Sequence, residues 1–136
     1  YCTLDTPFPG AVDTVRHLHR MGCTIAYVTA RRVSMLAGTT ESFLKHGFPL
    51  GVPGTILSLK NDPTQPDKAY KIEALEWIAQ LGEVVICAEN EPAYINLMHQ
   101  AFPDAMSVLI DTRHSPSAPA LAGGVRRVDS LYSSIQ

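Results

Sequence analysis

The 136-residue sequence predicts one α/β domain: a three-layer α/β/α sandwich around a mainly parallel, doubly wound, Rossmann-like sheet. Two observations point there. Helical and strand-like patterns alternate along most of the chain, the order that sets parallel strands between helices. Two strand patterns, Cys23–Val28 and Glu83–Ala88, are nearly continuous runs of apolar or β-branched residues, then break into polar clusters. Such runs suit strands covered on both faces. Ligands of open α/β sheets bind beyond the carboxyl ends of the strands.

The elements follow in order. Pro9-Gly10 opens a helix to about Met21, with Val12, Val15, Leu18 and Met21 on one stripe and Gly22 as its stop. Cys23–Val28 is the first strand. Thr39 or Thr40 can cap a second helix, with Phe43 and Leu44 inward and Gly47 at its end. Pro49 to Gly54 is loop, Thr55–Leu59 a short strand, and Lys60 to Pro66 a polar loop. Asp67 can cap a third helix to about Leu81, whose apolar face is Ile72, Leu75, Ile78 and Ala79, with Gly82 as the stop. After the Glu83–Ala88 strand, Pro92 suits the first turn of a helix carrying Ile95, Met98 and Phe102. Met106–Ile110 is a further apolar strand ending at Asp111. Ser115 to Gly124 is loop, Val125–Val128 a last short strand, and Leu131–Ile135 a fraying helical turn.

The totals narrow the function. A hydrophobic share of 46% and a charged share of 18% are those of a globular domain, and the net charge of -2 gives no electrostatic case for nucleic acid. No apolar run has the length of a membrane span and no signal-peptide pattern is present, so no membrane partner and a cytoplasmic location are expected. Cys2, Cys23 and Cys87 lack metal-type spacing and read as reduced thiols, two of them in strands. The chain begins at Tyr1 without Met. Residues 1–8 read as a connector from an upstream segment, and 9–136 as the domain itself.

Thr29, Ala30, Arg31 and Arg32 follow the first strand. A short hydroxyl and a guanidinium there suit an oxyanion, phosphate above all, helped by the helix start beyond. An ordinary strand end with solvated arginines is the alternative. Lys68 and Lys71 sit early in their helix, against its dipole. Lys71, followed by Ile72, is the better placed for an anion, and surface lysines are the alternative. Glu89-Asn90-Glu91 gathers oxygen donors that suit Mg²⁺. Asn90 would also make a good helix N-cap, and Glu91 would favour the helix dipole. Asp111-Thr-Arg-His114 reads as a turn or, alternatively, as part of the crevice with Asp111 as nucleophile. His17, His19, His46 and His99 show no paired ligand spacing.

Val28-Thr-Ala-Arg31, then Lys71 at a helix start, then Glu89-Asn-Glu91, resemble in order and spacing the haloacid dehalogenase superfamily of phosphatases and phosphotransferases. The resemblance covers nearly the whole chain. It implies that Thr29 and Lys71 are catalytic, steadying the phosphoryl group, and that Thr29, Ala30 and Arg31 bind substrate. It also implies that Glu89 and Asn90 hold Mg²⁺, with Glu91 the next candidate. A small phosphorylated substrate and hydrolysis through an aspartyl-phosphate follow. A homodimer is kept open. Two departures stand out. The superfamily's Asp-x-Asp strand has no counterpart, since Asp5 is a single carboxylate just before Pro7. Its fourth motif usually presents Asp, where this chain has Glu89. That strand would lie between those ending at Thr29 and Glu89, and without it orphaned backbone groups would cost about 1–3 kcal/mol each. The nucleophile is therefore expected upstream of Tyr1. The alternative is a catalytically inactive binding or regulatory module of the same fold.

Overall fold

A computed structural model describes residues 10–110 and 118–129. The connector at 1–8, the Asp111–His114 segment and the turn at Leu131–Ile135 lie outside the described residues. The chain divides into two units, Tyr1–Tyr70 with Leu131–Gln136, and Lys71–Ser130.

The first unit holds α1 (Ala11–Arg20), β1 (Ile25–Arg32), a 3₁₀ turn (Val33–Met35), α2 (Leu36–Lys45) and β2 (Thr55–Lys60). It also holds the first turn of α3 (Asp67–Leu81). β1 and β2 pair in parallel, Ile25 opposite Thr55 through Thr29 opposite Leu59. α1 and α2 end alike. The Gly22 N–H donates to the His19 carbonyl and the Cys23 N–H to the Leu18 carbonyl, and Gly47 and Phe48 repeat this on Leu44 and Phe43. Gly22 (φ 93°) and Gly47 (φ 89°) take the left-handed conformation that this closure requires. The closure explains why β1 starts at Ile25 rather than Cys23, since the Cys23 amide is spent on the helix. Phe43 and Phe48 then meet edge to face with centroids 5.4 Å apart, and Tyr27 of β1 lies 4.8 Å from Phe43. The Tyr27 hydroxyl donates to the Pro49 carbonyl at 2.7 Å, tying the loop to this aromatic core.

The second unit holds the rest of α3, β3 (Ile86–Glu89), α4 (Pro92–Ala101), β4 (Met106–Ile110) and β5 (Arg126–Val128). Its three strands are parallel in the order β3-β4-β5. Central β4 is the buried strand, with Val108 and Leu109 at 0% exposure, and α4 adds Ile95, also at 0%. Asn96 of α4 fastens the following loop, donating to the Ala120 carbonyl and accepting from the Ala122 N–H.

The α/β class and the parallel pairing agree with the sequence. In place of one doubly wound sheet, the described strands form two small parallel sheets, and a three-layer sandwich is not shown. Other expectations shift locally. β1 is half-buried with Ala26 exposed, because β2 is its only partner among the described residues. α2 begins at Leu36 after the 3₁₀ turn, so Thr39 is a buried interior residue rather than a cap, and Leu44 is exposed. Met21 is exposed at the end of α1. β3 is shorter than Glu83–Ala88 at its start and includes Glu89, its ladder opening where the Met106 N–H meets the Val85 carbonyl. In α3 the covered stripe is Lys71, Ala74, Leu75 and Ile78, while Ile72 and Ala79 are exposed. The apolar face is thus rotated from the expected one, and a lysine stands at its head.

Candidate functional site

In the first unit, Thr29, Ala30 and Arg31 lie inside β1 rather than beyond it. The strand pairing steps from Thr29 opposite Leu59 to Arg32 opposite Lys60. Ala30 and Arg31 are therefore extra residues in a bulge, a feature that re-aims side chains at a strand end. The Arg31 N–H donates to Thr29 Oγ1 at 3.3 Å. This occupies one lone pair of the hydroxyl and leaves its proton to be donated, the chemistry a phosphoryl oxygen accepts. Arg31 is half-buried, and its Nη2 is a buried donor with no hydrogen-bond partner among the described residues. A buried guanidinium N–H is costly to leave unmade, and an oxyanion is its natural complement. Arg32 is exposed, as a solvated arginine would be.

In the second unit, Lys71 and Glu89 come together. Lys71 Nζ donates to Glu89 Oε2 at 3.3 Å, and the two side chains are 10% and 11% exposed. Glu89 Oε1 accepts the N–H of Asn90 at 2.9 Å and of Glu91 at 3.3 Å. The carboxylate at the end of β3 thus fixes the turn into α4 from one oxygen and the lysine from the other. Glu91 occupies the N-cap position of α4 without a side-chain capping bond, so Asn90 is not the cap and stands exposed beside Glu89. Lys71 Nζ also sits 5.5 Å from the centroid of the Tyr94 ring, within cation–π range.

The donor set can be weighed for a divalent cation. Among the described residues no group of three acidic, histidine or cysteine side chains converges on one point. Glu89 offers only the lone pairs left by Lys71 and two amides, and Asn90 a single amide oxygen. A Mg²⁺ bound here would need a further carboxylate beyond these residues.

Lys60 and Tyr94 were not singled out by the sequence. Lys60 ends β2 at 8% exposure, with Nζ 2.6 Å from Asp67 Oδ1. Asp67 gives its carboxylate to this pair instead of to a cap. A lysine at the start of a polar, proline-containing loop carries no signal of burial, and Tyr94 lacks any spacing that ties it to Lys71. The small cluster Asp62–Thr64 is local: Thr64 donates to Asp62 Oδ1 from both its hydroxyl and its amide.

Comparison with known families places the chain in the haloacid dehalogenase-like class. The family model that matches, over residues 5–111, is described as PITM 1-3, LNS2 domain, and the chain belongs to that family. The superfamily resemblance therefore holds, while this family is not one defined by the superfamily's standard motifs. No curated protein and no solved structure matches. No helix among the described residues is long and apolar enough to cross a membrane.

Proposed function

We propose that this chain recognises small phosphate monoesters in the haloacid dehalogenase manner and, with an aspartate nucleophile from outside this sequence, takes part in their Mg²⁺-dependent hydrolysis. Thr29 donates its hydroxyl proton to a phosphoryl oxygen, Ala30 and Arg31 complete the substrate-binding bulge, and Lys71 supplies the positive charge. The observation that carries this reading is the burial of Lys71. An ammonium at the head of the covered stripe of α3, beside an exposed isoleucine, opposes both burial and the helix dipole, so its place there favours anions around it, of which Glu89 at 3.3 Å is one and a phosphoryl group would be a second. Preorganised charge of this kind is the main source of catalysis in phosphoryl transfer. Glu89 and Asn90 would hold part of the shell of a Mg²⁺, whose chemistry is to offset phosphoryl charge.

A second reading, a module that binds phosphate esters without hydrolysing them, is favoured by one observation. Both oxygens of Glu89 are already engaged, by Lys71 and by two backbone amides.

Titration calorimetry with an aryl phosphate, with and without Mg²⁺, tests the shared claim. The chain binds the ester, and Thr29→Val and Lys71→Gln each weaken binding about tenfold, the effect of one lost charge-assisted hydrogen bond. Absence of binding, or indifference to both substitutions, overturns the proposal. Release of the aryl alcohol by this chain alone contradicts a nucleophile outside it.

A further inference from the structure

Two side chains of β2 reach the first turn of α3. Lys60 Nζ meets Asp67 Oδ1 at 2.6 Å, and the Ser58 and Tyr70 hydroxyls share a hydrogen bond. Ser58 and Lys60 are two apart in the strand, so both lie on one face of it. Asp67 and Tyr70 are three apart in the helix and therefore neighbours on its surface. Lys71 is the next residue, one turn on from Asp67. Lys60 and Tyr70 are buried at 8% and 7%, while the Asp67 side chain is 54% exposed.

A buried lysine paired to a half-exposed carboxylate is a poor way to gain stability, because desolvation offsets the Coulombic attraction and an apolar pair would serve as well. What such a pair does provide is register. A charged hydrogen bond of 2.6 Å, with a second tie one turn along, fixes the rotation and axial position of the helix start. We infer that Lys60 and Asp67, seconded by Ser58 and Tyr70, are positioning residues that set α3 so that Lys71 stands on its covered stripe. The inference rests on the phosphoryl-binding role of Lys71 proposed above. Lys60 itself does not touch the ligand.

The experiment uses the whole chain and the double variant Lys60→Met/Asp67→Ala, which removes both charges together and leaves no orphan. Asp67→Glu, lengthening an exposed side chain that can still reach Lys60, is the conservative partner. Amide hydrogen exchange at Tyr70–Ala74 speeds by about tenfold in the double variant, while Trp77–Leu81 is unchanged. Binding of the aryl phosphate weakens about tenfold in the double variant, while Asp67→Glu leaves both exchange and binding near the wild type. Unchanged exchange at Tyr70–Ala74 overturns the inference, as does a uniform rise along the chain, which marks mere loss of stability. Should the double variant not fold, Asp67→Asn gives the same local readout. Failure of the phosphoryl reading shows separately, as wild-type binding that is absent or indifferent to Lys71→Gln, and the exchange data still judge the latch.

Discussion

Lys71 occupies a position that the pattern of its helix would otherwise give to an aliphatic side chain. Glu89 makes this tolerable by offering a carboxylate oxygen at 3.3 Å, and the ring of Tyr94 adds a second favourable surface. Pairs buried to this degree are costly to break from one side and cheap to remove whole. Lys71→Met should therefore lower unfolding free energy by ~3 kcal/mol, since Glu89 keeps its charge without its cation. Lys71→Met/Glu89→Gln should recover most of that loss in urea denaturation, and equal losses in both variants would show that the pair is not coupled. Cys87 is a half-buried thiol in β3. Burial pushes its thiol from 9.0 up to about 11, so the folded chain keeps a proton there that the unfolded chain releases first. The unfolded state binds fewer protons between those values, and stability falls as pH rises from about 9 to about 11. Cys87→Ala should flatten that part of the stability profile, and an unchanged slope would place its cause elsewhere.

Helix ends and strand ends explain which parts of the architecture were legible. Gly22 and Gly47 marked their helix ends because only glycine takes a φ near +90° without strain, and each is followed by the hydrogen bonds expected of such a closure. Gly47→Ala should cost ~1 kcal/mol in thermal or urea unfolding through backbone strain. The added methyl would meet Val12 Cγ1 at 3.5 Å and Arg16 Nη1 at 3.8 Å, both ordinary contacts, so a much larger loss would mean that packing and not conformation governs this turn. By contrast, the bulge at Ala30–Arg31 was not legible. A run of strand formers ending in Thr-Ala-Arg-Arg reads as a strand that stops, and only pairing with β2 shows that it continues with two residues out of step. The rotation of α3 was hidden for a related reason. Ile72 looks inward by hydropathy, but the stripe that is covered runs through Lys71, Ala74, Leu75 and Ile78, and the ties from Ser58 and Lys60 are strand-to-helix contacts that helical spacing does not encode.

For the whole chain, the α/β class, the parallel strands and the superfamily came from the alternation of patterns and from three short polar stretches. The single doubly wound sheet did not, because sheet continuity depends on which strands are neighbours, and β1 and β3 each pair on one side only among the described residues. Membership of the PITM 1-3, LNS2 domain family sets the class of fold, and chemistry has to be argued from Thr29, Arg31, Lys71 and Glu89 themselves. The proposed function, which the superfamily resemblance implies, has these groups serve one phosphoryl ligand. Backbone amide NMR of the labelled chain during titration with an aryl phosphate measures this directly. If one ligand is shared, the amides of Thr29–Arg31 and those around Lys71 and Asn90 shift together and fit one dissociation constant. Response in only one of these sets, or two separate constants, would contradict it.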